Sequence, residues 1–146
     1  MKIAVASDHA AFELKEALIK WLTGSNYEVI DFGTNSLNSC DYPDYAIPAS
    51  ESVASGNADF GIVVCGSGIG MSIVCNKVKG IRAANCCSAE MAALARQHNN
   101  ANILNMGARL VDFETAIEIA KTFLITEFQE GRHSLRVDKI HSGTGC

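Results

Sequence analysis

Short apolar, β-rich segments alternate with segments that carry apolar residues at helical spacing, and this alternation is the strongest constraint on the fold. The β-rich segments, predicted as strands, cover residues 2–7, 27–32, 59–64, 81–86 and 102–105. The helical patterns cover residues 10–22, 44–55 (with Pro48 expected in its first turn), 69–78, 88–98 and 113–125, and a polar tail follows at 126–146. Strands separated by helices favour a parallel sheet covered on both faces. The sequence therefore predicts an α/β fold, a three-layer αβα sandwich around a five-stranded parallel sheet.

The composition is that of an ordinary folded domain. The chain has 146 residues, 48% hydrophobic and 19% charged, which predicts a single domain spanning residues 1–146 and argues against a disordered chain. No apolar run approaches the roughly 20 residues of a membrane-spanning helix. A net charge of −4 argues against a nucleic-acid surface. The start of the chain is too short and too weakly charged for a signal peptide, so we expect a first strand there and a cytoplasmic location.

Six cysteines are spread along the chain, at positions 40, 65, 75, 86, 87 and 146. A cytoplasmic location favours reduced thiols over disulfides. The sequence has no Cys-x-x-Cys pair and no histidine at zinc-finger spacing, which argues against a structural zinc site. Cys86 and Cys87 are predicted to lie on one strand and to face opposite sides. Cys75 and one member of that pair are interpreted as small buried hydrophobic residues.

The segment Cys65-Gly66-Ser67-Gly68-Ile69-Gly70 joins a predicted buried strand to a predicted helix. Backbone N–H groups at such a turn bind anions, and the same position favours the thiolate form of a nearby cysteine. This loop could therefore hold a base or nucleophile beside a developing negative charge. A dinucleotide fingerprint fits poorly, because the glycine spacing is one residue short and the loop follows the third strand. A serine-hydrolase elbow also fails on spacing.

In parallel α/β sheets, ligands bind beyond the carboxyl ends of the strands. This rule selects Asp8 and His9 after the first strand, the glycine loop after the third, and residues 105–107 after the fifth. For Asp8 the structural alternative is a helix N-cap, and for His9 an ordinary surface position.

Two further groups of residues have both a structural and a functional interpretation. His98 and Asn99 end a predicted helix, where histidine and asparagine serve as C-terminal caps. Arg132 and Arg136 share one face if the tail is helical, and they form either a solvated basic surface or a phosphate clamp. Taken with the thiol and the glycine loop, these residues suit a phosphorylated small molecule that undergoes proton transfer.

Short motifs follow one another along nearly the whole chain: Ser7-Asp8-His9, Asp41-Tyr42-Pro43-Asp44, the loop at 65–70, Asn76-Lys77, Gly80-Ile81-Arg82, Arg96-Gln97-His98-Asn99, and Gly131-Arg132-His133 with Arg136. In order and spacing they resemble the type B ribose-5-phosphate isomerase family, which also includes the galactose-6-phosphate isomerase subunits. The resemblance implies a Rossmann-like αβα fold and an aldose–ketose isomerase of the pentose phosphate pathway that needs neither metal nor cofactor. It also implies a homodimer or tetramer with active sites at the subunit interface, and a tail at about 126–146 that packs on the partner.

The resemblance also assigns roles to individual residues. Cys65 matches the base that moves a proton between C1 and C2 of the sugar, with Ser67 assisting. A second branch of the family uses a glutamate where this chain has Met71, so the match is to the cysteine branch. His98 matches the residue that opens the sugar ring, and Asp8 matches its helper.

The remaining matches bind substrate. The amides of Gly66, Gly68 and Gly70 match the anion hole for the enediolate. Phosphate ligands are expected at His9, Arg132 and Arg136, with Arg109 as a further candidate. Contacts to substrate hydroxyl groups are expected from Tyr42 and Asn99. The resemblance gives no role to Cys86, Cys87 or Cys146.

Two classes of function remain open at the level of sequence. The first is an enzyme that interconverts D-ribose 5-phosphate and D-ribulose 5-phosphate, or isomerises a six-carbon phosphate such as allose 6-phosphate or galactose 6-phosphate. The second is a non-catalytic protein that senses a phosphosugar in the same pocket. Cys65 and His98 favour the enzyme, because a sensor needs neither a base nor a ring-opening acid.

Overall fold

A computed structural model describes Met1–Gly145, which form a five-stranded, wholly parallel sheet with helices on both faces. The strands are β1 (Lys2–Ser7), β2 (Glu28–Asp31), β3 (Phe60–Cys65), β4 (Ala83–Asn85) and β5 (Ile103–Gly107), in the order β2-β1-β3-β5-β4. The helices are α1 (Phe12–Gly24), α2 (Pro43–Ala54), α3 (Ile69–Cys75), α4 (Ala89–Asn99), α5 (Phe113–Ile125) and α6 (Arg132–Thr144). The predicted fold class is confirmed. Cys146 lies outside the described residues.

The central strands are apolar on both faces because helices cover both sides of the sheet. On one side, Ile3 and Val5 of β1 join a core that includes Phe123 of α5. On the other side, Ala4 joins a core that includes Met71 of α3. Full burial of a large aliphatic or aromatic side chain is worth about 1.5–3 kcal/mol, so these two cores hold the sheet rigid beneath its strand ends.

Three predicted boundaries change in the structure. The predicted fourth strand, 81–86, shortens to the three residues of β4, and the predicted helix at 69–78 ends at Cys75. In α2, Pro43 occupies the first turn, where its fixed φ and missing N–H are tolerated. The prediction that Pro48 lies in the first turn is therefore wrong, since the helix begins earlier and Pro48 lies in its interior.

The cysteines follow the buried-hydrophobe interpretation. Cys75 is fully buried in α3, Cys86 is buried, and Cys87 is exposed. The placement of Cys86 and Cys87 on a strand is wrong, because β4 ends at Asn85 and both residues lie in the connection to α4. The described cysteines are free thiols.

The polar tail contains a helix that was not predicted as an element. α6 covers Arg132–Thr144, and only His133 and Val137 of its residues are buried. Among Met1–Gly145, no helix is long and apolar enough to cross a membrane.

Candidate active site

A cleft of about 230 Å³ lies beyond the carboxyl ends of β1 and β3. The structure brings many of the predicted site residues together around it: Asp8, His9, Tyr42, Cys65, Gly66, Ser67, Gly70 and Arg109, with Ala10 completing the wall. The strand-end rule selected the same edge of the sheet. Gly68 lies in the same loop, where it is the N-terminal cap of α3.

Cys65 is the last residue of β3, and its side chain is almost wholly buried. The N–H of Gly68 donates a hydrogen bond to Cys65 Sγ at 3.1 Å. A donor aimed at the sulfur favours its negatively charged form. α3 has only seven residues, so this direct hydrogen bond, more than the field of a long helix, carries the interaction between loop and thiol.

The turn after β5 clamps the glycine loop from the other side. The backbone N–H groups of Ala108 and Arg109 donate to the carbonyl oxygens of Cys65 and Gly66 at 2.9 and 3.0 Å. Gly107 must be a glycine, because a Cβ there would lie 2.6 Å from the backbone carbon of Ser67. The loop is therefore held between two strand ends and is preorganised before any ligand arrives.

We expect Gly68→Ala to abolish most activity and to destabilise the fold by more than about 1 kcal/mol. Gly68 has a φ of +76°, which alanine adopts only with strain, and a Cβ there would overlap the side-chain oxygen of Asn85. Gly24→Ala is the matched control, because a Cβ at Gly24 meets nothing within 4 Å. Activity and thermal unfolding of both variants check this, and equal behaviour of the two variants would contradict it.

Asp8 and His9 are held by local hydrogen bonds. Asp8 caps the short 3₁₀ turn His9–Ala11, because its Oδ1 accepts a hydrogen bond from the N–H of Ala10 at 3.0 Å. Asp8 is therefore a helix N-cap, as the structural alternative predicted, and it also lies in the wall of the cleft. His9 Nδ1 accepts the N–H of Cys40 at 3.2 Å, which places the proton of the neutral ring on Nε2.

Two larger side chains cover the glycines of the loop. The guanidinium group of Arg109 packs on Gly66, where a Cβ would lie 3.2 Å from Arg109 Cζ. The ring of Tyr42 packs on Gly70, where a Cβ would lie 2.9 Å from Tyr42 Cζ. These contacts place a cation and a phenol at the rim of the cleft, next to backbone N–H groups that suit an oxyanion.

The structure does not bring the other predicted residues into this cleft. His98 and Asn99 lie in the last turn of α4, and Arg132 and Arg136 lie on α6. Within the described chain, none of these four residues lines the cleft around Cys65. The left-handed cap that ends α4 is Asn100, with a φ of 46°. The single chain thus presents two separate groups of predicted site residues.

The second group is organised around a pair of stacked histidines. The rings of His98 and His133 lie 4.4 Å apart between centroids and 6° from parallel. The pKa of His133 is lowered, first by burial and then by the charges of His98, Arg132 and Arg136. The lowered pKa favours a neutral His133 ring against His98. Arg132 and Arg136, one helical turn apart on the same helix, are exposed.

This lowered pKa predicts a loss of stability in acid. Below about pH 6.5 the unfolded chain binds a proton at His133 that the folded chain resists, so folding stability falls as the pH falls. At higher pH neither state carries that proton and the penalty vanishes. We expect urea unfolding at pH 7.5 and 5.5 to show a smaller pH effect in His133→Asn than in the parent. Equal pH effects in the two proteins would refute the assignment.

Two residues outside the predicted set support this machinery. Cys40 holds His9 through its backbone N–H, and no sequence pattern signals that contact. Asn85 lies beneath the glycine loop, and its Nδ2 donates to the carbonyl oxygen of Ser67 at 3.4 Å. Asn85 ends β4, so the strand-end rule would have found it had the strand boundary been predicted correctly.

Among residues 1–145, no three or more histidine, cysteine or carboxylate side chains come together as a group that could hold a metal ion. What the described cleft offers is a thiol, backbone N–H donors, a carboxylate, an imidazole and a guanidinium group. Such a set can remove a proton from carbon and stabilise the resulting oxyanion.

A sequence profile described as ribose/galactose isomerase matches residues 3–140 of the chain. The chain belongs to the ribose/galactose isomerase family. Among the members similar to it is ribose-5-phosphate isomerase B of Escherichia coli, which is 44% identical over 139 residues, 95% of this chain and 93% of the relative. The family resemblance carried by the sequence motifs is confirmed.

Solved structures of family members superpose closely on the chain. A ribose 5-phosphate isomerase of Thermotoga maritima is 55% identical, with a TM-score of 0.95 and 97% of each chain covered. Ribose-5-phosphate isomerase B of Mycoplasma genitalium, solved with bound ribulose-5-phosphate, is 40% identical, with a TM-score of 0.95 and coverage of 99% of this chain and 96% of the other.

Proposed function

We propose that this family member interconverts D-ribose 5-phosphate and D-ribulose 5-phosphate through an enediolate, with Cys65 as the base. The observation that carries the proposal is the hydrogen bond from the Gly68 N–H to Cys65 Sγ, beside a cleft that Gly66, Ser67 and Gly70 of the same loop also line. The ribulose-5-phosphate bound to the Mycoplasma genitalium relative supports the choice of substrate. The reaction would serve the pentose phosphate pathway in the cytoplasm.

The chemistry of the cleft follows from its geometry. In the open-chain aldose, the Cys65 thiolate, assisted by Ser67, removes the proton at C2 to give the enediolate and returns it to C1, while the hydroxyl proton passes from O2 to O1. Negative charge develops on a substrate oxygen, and the N–H groups of Gly66 and Gly70 stabilise it, while the Gly68 N–H remains on Cys65 Sγ. Loss of one donor from such a site costs on the order of 10²–10³ in rate. Opening of the sugar ring precedes this step. We assign it to His98, assisted by Asp8.

We further propose that a second copy of the chain completes the site. The cleft of about 230 Å³ is smaller than the roughly 300 Å³ at which most ligand pockets begin, and one chain leaves His98 outside it. A homodimer, alone or within a tetramer, would place the His98, Asn99, Arg132 and Arg136 of one copy over the Cys65 of the other, with Tyr42 and Asn99 contacting sugar hydroxyls.

The exposed apolar side chains suit such an interface. Ile69 and Ile73 of α3 lie beside the cleft and are more than half exposed, at 55% and 58%. Leu135 and Ile140 of α6 are also exposed. Burial of these side chains against a partner would stabilise the dimer, with the tail 126–146 packed on the neighbouring subunit.

The phosphate would be bound by His9, Arg132 and Arg136, with Arg109 at the rim. The Cys40 contact leaves the Nε2–H of His9 as the donor. Phosphate lies remote from the reacting carbons, so these contacts supply binding energy and orientation.

We expect activity to persist after treatment with a chelator, because loop N–H groups take the part that a Lewis acid would otherwise play. The measurement is turnover before and after treatment with EDTA, followed by addition of divalent ions. Activity that is lost to the chelator and restored by an ion would overturn the metal-free mechanism.

A coupled assay tests the substrate. It compares ribose 5-phosphate with allose 6-phosphate and galactose 6-phosphate, and we expect the highest kcat/KM with the pentose. Preference for a six-carbon phosphate would assign the chain to the alternative isomerase. Binding of phosphosugars with no turnover of any of them would instead support the sensor.

A further inference from the structure

Asn85 lies at the carboxyl end of β4, directly beneath the glycine loop that carries Cys65. Its backbone pairs in register with Asn105 of β5. The position from which its side chain extends is therefore fixed by the sheet. Asn85 Nδ2 donates to the carbonyl oxygen of Ser67 at 3.4 Å. Asn85 Oδ1 occupies the space that a side chain at position 68 would need. One side chain therefore contacts the loop at two successive residues.

The two contacts meet at a single peptide group. The carbonyl oxygen of Ser67 and the N–H of Gly68 belong to the same planar unit, and in a trans peptide they point in opposite directions. Asn85 holds the oxygen end of this unit, while the N–H end points at Cys65 Sγ at 3.1 Å. Fixing one end fixes the direction of the other.

The residue after this peptide is a glycine, so the backbone itself does not fix the direction of the peptide. Gly68 has a φ of +76°, which corresponds to the second central residue of a type II turn. Rotation of the peptide before that residue converts a type II turn into a type I turn, and glycine accepts both. In the rotated form a carbonyl oxygen, not an N–H, would face the sulfur, and it would repel a thiolate.

We propose that Asn85 is a positioning residue, which holds the Ser67–Gly68 peptide with its N–H aimed at Cys65. The inference rests on the proposed function, since it concerns how a hydrogen-bond donor is kept aimed at the base Cys65. Asn85 itself is not among the residues that line the cleft, so it acts through the loop.

The test measures Cys65 directly, without relying on turnover. Asn85→Ala removes the amide, and Asn85→Leu keeps roughly its size while removing the donor without adding a charge. We expect iodoacetamide to alkylate Cys65 about 2- to 10-fold more slowly at pH 7 in both variants, as one lost hydrogen bond predicts. Peptide mass spectrometry separates Cys65 from the exposed Cys87. The difference should shrink at high pH, where the thiol ionises in every variant, and kcat should fall with little change in KM.

Asn105→Ser is the matched control. Asn105 is the neighbouring asparagine in the same row, but its Nδ2 donates to the carbonyl oxygen of Val63 and not to the loop. We expect Cys65 in this variant to be alkylated at the parental rate. The inference would be overturned if Cys65 were alkylated at the parental rate in the Asn85 variants, or if its alkylation slowed as much in Asn105→Ser as in those variants. If Asn85→Ala fails to fold, Asn85→Leu carries the same test. Because alkylation needs no turnover, an inactive or misassigned isomerase would not disguise the result.

Discussion

Cys65→Ala is expected to lose at least the roughly 10²–10⁴-fold in kcat that a positioned general base contributes. The thiol is the one group at the end of β3 that receives the N–H of Gly68, and alanine leaves that donor facing an inert methyl group. The fold should survive, because the substitution removes a single sulfur atom from a site that the surrounding loop already encloses. A steady-state assay with ribose 5-phosphate measures the loss.

Cys75→Ala is the matched control for this variant. Cys75 is fully buried, and burial raises the pKa of its thiol, so it remains protonated and cannot serve as a base. We expect this variant to lose about 1 kcal/mol of stability through the vacated volume and to keep parental kcat. Near-parental turnover in Cys65→Ala, or a kcat loss in Cys75→Ala as large as that in Cys65→Ala, would remove Cys65 from the mechanism.

Protection experiments give a second measurement of the same assignment. Alkylation of Cys65 should inactivate the protein, and ribose 5-phosphate should slow that inactivation. Inactivation with Cys65 unlabelled, for example through the exposed Cys87, would count against the proposal.

The parts of the fold that sequence could predict are those that depend on local patterns. The apolar runs of β1 and β3 and the helical spacing of α5 are properties of neighbouring residues, and each predicted element exists in the structure. The strand-end rule then located the cleft, because the ends of parallel strands share one edge of the sheet. The family motifs supplied the roles, which geometry alone does not assign.

The remaining features depend on contacts between distant residues. Lys15 illustrates this, because it lies on α1 with its side chain wholly buried and its Nζ 2.6 Å from Asp31 Oδ2 of β2. A sequence pattern assigns lysine to the surface, and only the packing of α1 on the sheet edge shows its partner. α6 escaped prediction because most of its residues are polar, so its few apolar side chains did not stand out as a helical pattern.

The second group of site residues could be named from sequence, but its position could not. Arg132 and Arg136 match a phosphate clamp by motif, whereas the single chain holds them apart from Cys65. Sequence spacing places two arginines on one face of a helix, but it does not say which cleft that face covers. The relation between α6 and the cleft is a property of the proposed dimer.

Arg132→Ala and Arg136→Ala should each lower kcat/KM for ribose 5-phosphate by roughly 10- to 150-fold, mainly through KM. This range corresponds to about 1.5–3 kcal/mol for each lost hydrogen bond to a charged group. Both residues are exposed on α6, so the fold should be unaffected. Reaction of the non-phosphorylated sugar should be nearly indifferent to either change. Lys121→Ala, at an exposed lysine of α5, is the control for a general loss of positive charge. Parental kinetics in both arginine variants would refute the clamp.

Mixing the two kinds of defective chain tests whether the arginines serve the neighbouring subunit, provided that activity is measured at ribose 5-phosphate concentrations far below KM, where Arg132→Ala alone is nearly silent. In a symmetric dimer whose site combines Cys65 of one copy with Arg132 of the other, a mixed dimer of Cys65→Ala and Arg132→Ala chains contains one intact site and one doubly defective site. Random exchange makes half of the dimers mixed, so we expect recovery of about a quarter of the parental activity. Absence of recovery after confirmed exchange would place Cys65 and Arg132 in the same chain. It would also require α6 to reach the cleft of its own subunit, in an arrangement that the single chain does not adopt.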